Sequence, residues 1–106
     1  MADLEVTASG STVTASPADR IVIRLAENAT SGYQWSVAEA GEALEVESSE
    51  LSLPGSAAPG AAAQRVIRLR PRGPGRARVR LHLKRAWEPE PADRFDLDVI
   101  VAGYQR

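Results

Sequence analysis

The chain contains no cysteine and a single histidine, His82. The lack of cysteine excludes disulfides, a thiol nucleophile and zinc sites built from thiolates. One histidine among scattered carboxylates does not supply the clustered ligands of a metal centre. His82 lies in the middle of an alternating segment, and Ser31 has no base beside it in the sequence, so nothing favours a serine triad. We therefore predict that the protein is not an enzyme and uses no cofactor or metal.

The chain also has little net charge and no long apolar segment. Its 13 basic and 14 acidic residues give a net charge of −1, so no overall attraction to nucleic acid or to a membrane is expected. No run approaches the roughly 20 apolar residues of a membrane span. The first residues lack the basic and apolar regions of a signal peptide. The length of 106 residues, 43% of them hydrophobic, predicts one globular domain over residues 1–106.

Helical periodicity is absent as well, and hydrophobic residues recur at every second position. Between residues 76 and 84, alanine, valine and leucine alternate with arginine, histidine and lysine, which is the pattern of a half-buried strand. Many such short segments, divided by glycine and proline, indicate an all-β sandwich or barrel. Residues 52–63 are rich in alanine, glycine and proline, and we expect a mobile loop there. The predicted strands are 4–7, 11–15, 21–25, 34–39, 44–48, 65–70, 76–84 and 95–101.

Nine of the 13 basic residues lie between residues 65 and 85, an arrangement also found in nucleic-acid-binding proteins. However, if the last two strands are antiparallel neighbours, Arg78 and Arg80 face Asp96 and Asp98. Such opposite charges stabilise a sheet by roughly 0.2–1 kcal/mol per pair. The aromatic residues on which single-stranded nucleic acids stack are missing from this segment. We therefore predict a solvated ladder of ion pairs and no nucleic-acid partner. The alternative, a nucleic-acid-binding β-domain, would show a steep loss of binding with added salt.

Both tryptophans lie at or beside a loop between predicted strands. Trp35 follows the small, glycine-containing segment 28–34, and Trp87 lies in the segment 85–89. Tryptophan is usually a core or interface residue, so two at loop edges indicate a binding rim. We expect Trp35 in the core, because strand tryptophans pack well between sheets, and Trp87, beside its charged neighbours, exposed or at an interface. Tyr33 fits either place.

These two loops resemble those of a known family. The segment Asn-Ala-Thr-Ser-Gly-Tyr at residues 28–33, followed by Gln-Trp, resembles the Asn-Pro-Thr-Thr-Gly-Tyr/Phe loop of the chagasin-like inhibitors of papain-family cysteine peptidases. Arg-Ala-Trp at residues 85–87 is similar to that family's Arg-Pro-Trp loop, and residues 60–63 stand where the family has a Gly-x-Gly-Gly loop. The peptidase-binding residues that the resemblance implies are Asn28, Ala29, Thr30, Ser31, Gly32, Tyr33, Gly60, Ala61, Ala62, Ala63, Arg85, Ala86 and Trp87.

The resemblance, which covers essentially the whole chain, implies an immunoglobulin-like β-sandwich of about seven or eight strands without disulfides. Three loops at one end would form a wedge that fills the peptidase cleft. Thr30 and Ser31 would lie near the catalytic cysteine, with Trp87 on one side of the cleft and residues 60–63 on the other. Arg85 would orient its loop or pair with an acidic group of the enzyme. The implied function is reversible inhibition of a papain-like cysteine peptidase by a monomer.

The chain departs from the family pattern at five positions, of which Ser31 in place of threonine is a mild change. Ala29 and Ala86 replace prolines, so the φ angle is no longer preset there. The added freedom of the unfolded chain lowers stability by about 0.4–1 kcal/mol at each position. Ala62 and Ala63 stand where the family has glycines, and alanine is strained wherever φ must be positive. We therefore predict two well-formed contact loops, one degraded or mobile loop, and weaker or narrower inhibition than is typical. The alternative is an immunoglobulin-like binding or adhesion domain without inhibitory activity.

Overall fold

The computed structural model describes residues 2–28, 31–52 and 63–103, which form eight β-strands and no helix. Each predicted strand is present. β5 continues past Ser48 to Ser52, and β6 starts at Ala63. The predicted mobile loop 52–63 lies outside the described residues except for these two strand ends. The strands are β1 (Asp3–Val6), β2 (Ser11–Ala15), β3 (Arg20–Glu27), β4 (Gln34–Glu39), β5 (Leu44–Ser52), β6 (Ala63–Pro71), β7 (Gly75–Lys84) and β8 (Asp93–Val101).

The strands form two four-stranded sheets that pack face to face. The first sheet has the order β1-β3-β6-β5, and the second has the order β2-β8-β7-β4. β1 pairs with β3 and β2 pairs with β8 in parallel, whereas the other neighbours are antiparallel. The immunoglobulin-like sandwich that the resemblance implies is therefore confirmed. No helix among the described residues is long and apolar enough to span a membrane.

The core lies between the sheets and follows from the two-residue period. Because successive side chains of a strand point to opposite faces, the apolar positions of each strand meet those of the other sheet. Phe95, near the start of β8, is the largest of the fully buried side chains. The core residues from the first sheet include Ile21, Ile23, Ile67 and Leu69, and those from the second include Trp35, Ala77, Val79, Leu81, Phe95, Leu97 and Val99.

The outward faces carry ion pairs between neighbouring strands. Arg78 pairs with Asp98 at 3.1 Å and Arg80 with Asp96 at 3.6 Å, as the sequence predicts for antiparallel β7 and β8. On the first sheet, Arg24 pairs with Glu5 at 2.7 Å. Most arginines of the basic segment are thus next to carboxylates, which supports the ion-pair interpretation of that segment. Further pairs on the first sheet are Arg68 with Glu50 and Arg70 with Glu45, between β6 and β5, and Arg20 with Glu47, which reaches from β3 across β6 to β5.

Candidate functional site

Three connections between strands lie at the same end of the sandwich, which we call the loop end. Glu27, the last residue of β3, pairs with Ala63, the first residue of β6. In the second sheet, the first residue of β4, Gln34, pairs with the last residue of β7, Lys84. The β3–β4, β5–β6 and β7–β8 connections therefore all leave from this end. Strand register thus places the ends of the strands that flank the three predicted contact segments at one end of the sandwich.

A short turn shapes the described part of the β3–β4 connection. The Ser31 N–H and Oγ–H both donate to the Asn28 carbonyl oxygen, at 3.3 and 2.9 Å. The Tyr33 N–H then donates to Ser31 Oγ at 3.2 Å. Gly32 has a φ of +83°, in the left-handed region that glycine adopts without steric cost. Ser31 and Gly32 therefore define this turn. Two further predicted contact residues, Ala29 and Thr30, lie outside the described residues.

Arg85 joins the β7–β8 connection to the β3–β4 connection. Its Nε donates to the Ser31 carbonyl oxygen at 3.3 Å. Its guanidinium carbon lies 4.3 Å from the centre of the Tyr33 ring and 5.8 Å from that of Trp87, both within cation–π range. The side chain thus orients the loops within the chain, one of the two roles that the resemblance implied. Because the Arg85 N–H also donates to Glu88 Oε1 at 3.3 Å, the residue is held by its own turn as well.

The two tryptophans have opposite environments, and both predictions are confirmed. Trp35 is 5% exposed, packs in the core and donates from Nε1 to the Ala26 carbonyl oxygen at 3.1 Å. Trp87 is 74% exposed and is the more exposed of two large hydrophobic residues on the described surface. Tyr33 is half-buried next to Arg85. The loop end therefore presents one large aromatic side chain to solvent and keeps the other in its base.

A buried ion pair that the sequence analysis missed lies under the loops. Arg65 donates from Nε and Nη2 to the two Glu27 carboxylate oxygens, at 3.1 and 2.7 Å. The Trp35 N–H donates to the same carboxylate at 2.8 Å. The side chains of Glu27 and Arg65 are only 3% and 9% exposed. This group joins β3, β4 and β6, and hence both sheets, at the point where the loops begin.

A sequence signal for this pair exists in the alternation itself. Glu27 continues the inward positions of Ile21, Ile23 and Leu25, and Arg65 precedes the inward positions of Ile67 and Leu69. A charge at an inward position is rarely tolerated without a partner. Once β3 and β6 are known to be neighbours, the inward positions of Glu27 and Arg65 therefore predict that the two side chains form an ion pair.

The β5–β6 connection differs from its prediction at Ala63. This residue belongs to β6 and is 1% exposed, so its side chain faces the interior and not the surface of the loop end. It follows the inward period of Arg65 and Ile67. The other predicted contact residues of this connection, Gly60, Ala61 and Ala62, lie outside the described residues.

A hollow of about 280 Å³ lies beside the two described loops, between Trp87 and the outward face of β4. Its lining combines apolar groups of Trp87 and Ala86 with polar side chains from neighbouring strands. No group of three or more metal-ligating side chains occurs in the part of the chain that the structure describes. The hollow is lined by Gly32, Gln34, Ser36, Lys84, Ala86 and Trp87.

Comparison with known proteins gives one family and several similar structures. The model of the family described as "Chagasin family peptidase inhibitor I42" matches residues 14–99. No curated protein matches the chain. The cysteine protease inhibitor EhICP2 from Entamoeba histolytica has a similar structure, with a TM-score of 0.85, 23% identity, and coverage of 95% of this chain and 96% of that one.

Two further solved structures share the fold. Amebosin has a TM-score of 0.78 and 24% identity, with coverage of 93% of this chain and 97% of that one. PbICP-C, solved in complex with falcipain-2, has a TM-score of 0.63 and 11% identity, with coverage of 93% and 99%. The similarity extends over nearly all of each chain, so the whole sandwich is shared.

Proposed function

The chain belongs to the chagasin family of peptidase inhibitors, and we propose that its loop end inhibits a papain-like cysteine peptidase by filling the active-site cleft. The observation that carries this proposal is the Arg85 bridge, which holds the β3–β4 and β7–β8 connections together beside an exposed tryptophan. A cysteine protease inhibitor is among the proteins of similar structure, which supports this target class.

The proposed contact surface follows the loops. Asn28, Ala29, Thr30, Ser31 and Gly32 enter the cleft, and small side chains there let the backbone approach the enzyme closely. Trp87 packs beside the cleft as the anchor of the interface, since buried aromatic residues carry a large share of interface energy. Tyr33 and Arg85 support the two loops from behind, and Ala86 lies next to Trp87. Gly60, Ala61 and Ala62 contact the opposite side, and Ala63 is the first residue of β6, at which that connection ends.

Inhibition by occlusion requires a rigid loop. A loop that blocks the nucleophile without presenting a carbonyl in attack geometry is not cleaved. Rigidity also lowers the ordering cost of binding, which otherwise takes about 0.5–1.5 kcal/mol for each immobilised side chain. The Glu27–Arg65 pair at the base and the Arg85 bond to Ser31 supply such restraint. They offset part of the freedom that Ala29 and Ala86 introduce in place of proline.

We further propose that residues 1–106 form a single inhibitor domain that acts as a monomer. One core unites the two sheets of the described residues. The strand ends that carry the proposed contact loops lie together at one end of the sandwich, so a single copy can insert this end into a cleft.

The test is the inhibition of papain and related peptidases by the wild type and by Trp87→Ala. We expect reversible inhibition with uncleaved inhibitor, and a loss in the variant of at least 2 kcal/mol, or about 30-fold in the inhibition constant. Val46→Ala is the matched control, because Val46 is the other large exposed hydrophobic residue, 40% exposed on β5. This control should inhibit as the wild type does.

A second variant, Thr30→Arg, adds a bulky charge at the proposed centre of the wedge and should also abolish inhibition. If both loop variants inhibit as well as the wild type, the proposal that these loops fill the cleft is wrong. If the folded wild type inhibits no papain-like peptidase at high micromolar concentration, the non-inhibitory immunoglobulin-like binding domain becomes the better interpretation.

A further inference from the structure

The charged residues on the outward face of the second sheet differ in whether they have an ion-pair partner. Away from the loop end, Arg78 and Arg80 are paired with Asp98 and Asp96. Toward the loop end, the outward positions of β7 and β8 carry Lys84, His82 and Arg94. The register places His82 between Ser36 and Arg94, and Lys84 next to Gln34, so no carboxylate stands opposite Lys84 or His82 in the sheet.

Lys84 is the last residue of β7 and adjoins the proposed contact loops. Within the described residues it makes no ion pair, and its strand neighbour Gln34 is neutral. Arg94 has a carboxylate nearby, but the distance to Glu90 is 3.9 Å and the two side chains are 63% and 84% exposed, so that pair is weak. In the described part of the chain, Lys84 therefore has no carboxylate partner at the loop end of this face, whereas Arg78 and Arg80 further along β7 are each paired with an aspartate.

The hollow beside Trp87 contains Lys84 in its lining. The Trp87 ring and Ala86 supply an apolar wall, and Gln34, Ser36 and Lys84 supply hydrogen-bond donors. An aliphatic stem ending in a carboxylate matches both parts, because the stem packs on the ring while the carboxylate meets the ammonium group and the neutral donors. A glutamate or aspartate side chain of a partner is thus the ligand that this lining fits.

We propose that Lys84 is a specificity-determining residue, which binds an acidic side chain on the peptidase surface beside the position that Trp87 occupies. The inference rests on the proposed function, since the hollow is continuous with the proposed contact loops. An unpaired cation at the rim of an interface raises the association rate toward an acidic partner and disfavours a basic one. Peptidases with an acidic residue next to the cleft are inhibited best, and those with a basic residue there are inhibited least.

The experiment compares Lys84→Glu with Arg76→Glu against a panel of papain-like peptidases that differ in charge around the cleft. Arg76 is the matched control, because it lies on the same face of β7 at the far end, opposite Ile100, and its substitution changes the net charge equally. For the best-inhibited peptidases, Lys84→Glu should raise the inhibition constant by about tenfold or more, mainly through slower association. High salt should reduce this difference, and Arg76→Glu should have little effect.

The outcomes separate the two proposals. If the wild type inhibits and Trp87→Ala weakens inhibition, but Lys84→Glu and Arg76→Glu behave alike on every peptidase, the assignment of Lys84 is overturned and the wedge stands. If the wild type inhibits no peptidase of the panel, the proposed function is overturned, and the assignment of Lys84 is overturned with it. Lys84→Gln removes the charge without reversing it and should show an intermediate loss with an unchanged melting temperature. A reordered ranking of the panel with Lys84→Glu would confirm the specificity role.

Discussion

Trp35 and Trp87 lie at the edges of adjacent connections at one end of the sandwich, yet one is 5% exposed and the other 74%. Trp35 occupies an inward position of β4, and its ring nitrogen is bonded to the Ala26 carbonyl. Trp87 lies in the turn after β7, where the alternation of side chains has ended. The same residue type is therefore buried in one place and exposed in the other, according to whether it lies in a paired strand or in a turn.

The contrast extends from the tryptophans to their surroundings. The base of the loops contains a buried ion pair whose carboxylate accepts three hydrogen bonds, whereas the tip contains a glycine turn and an arginine within cation–π range of two aromatic rings. Stability should therefore depend on the base, and inhibition on the tip. Substitutions at matched positions can separate these two properties.

The largest expected effect is the loss of stability on substitution of the buried tryptophan, Trp35. Trp35→Ala should lower the free energy of unfolding by about 3–5 kcal/mol, because it leaves a cavity in the core. Trp87→Ala should change that free energy by no more than about 0.5 kcal/mol, since the side chain is exposed. Urea denaturation of both variants measures the difference. Equal losses in the two variants would contradict the division into base and tip.

The next effect concerns the ion pair of the base. Arg65→Met leaves the Glu27 carboxylate buried without its counter-ion, which should cost about 3–5 kcal/mol. Arg68→Met is the control, because Arg68 lies on the opposite face of the same strand and pairs with Glu50 at 3.6 Å, with side chains 35% and 68% exposed. Its loss should be about 0–1 kcal/mol. A comparable loss in both variants, measured by denaturation, would show that the buried pair does not stabilise the base.

A smaller effect distinguishes two glycines with nearly the same backbone angle. Gly32 and Gly10 have φ of +83° and +84°, and an added methyl group meets at most an ordinary contact at either position. Alanine at each should therefore cost about 1–2 kcal/mol in stability. Only Gly32→Ala should also weaken inhibition, because Gly10 lies in the turn before β2, at the other edge of the second sheet from β4. Inhibition unchanged in Gly32→Ala would remove this glycine from the contact surface.

The smallest effect is expected far from the loop end, at Asp19. The Ser16 N–H, which donates to this carboxylate at 2.9 Å, holds the pKa of Asp19 below its usual value, with help from the Ala2 N–H at 3.0 Å. A pKa lowered by folding stabilises the protein above the unfolded value of about 3.9 and loses that contribution as pH falls through the folded value. Asp19→Asn should thus be slightly less stable than the wild type at neutral pH only.

Thermal denaturation at fixed ionic strength compares the stability of Asp19→Asn with that of the wild type across pH. The two melting temperatures should converge in acid, and inhibition should be the same in both proteins at neutral pH. A difference that persists in strong acid would assign the effect of the substitution to something other than the charge of Asp19.

Much of the fold could be predicted because the signal was local. The alternation in β7 and β8 predicted both strands, and with antiparallel pairing it predicted the contacts of Arg78 and Arg80 with aspartates. The core position of Trp35 followed from its place in a strand. The start of β6 at Ala63 was missed, because a run of alanines has no alternation that would mark where a strand begins.

The amino-acid sequence by itself determined the all-β class, the eight strands and the side of each strand that is buried, because side-chain direction in a strand depends only on position along the chain. Only the tertiary structure decided that Glu27 and Arg65 meet, that Arg85 reaches Ser31 across 54 positions, and that Lys84 stands without a carboxylate beside Trp87. Such contacts depend on which strands become neighbours and in which register. That choice is made by the packing of the whole core, so no local pattern contains it.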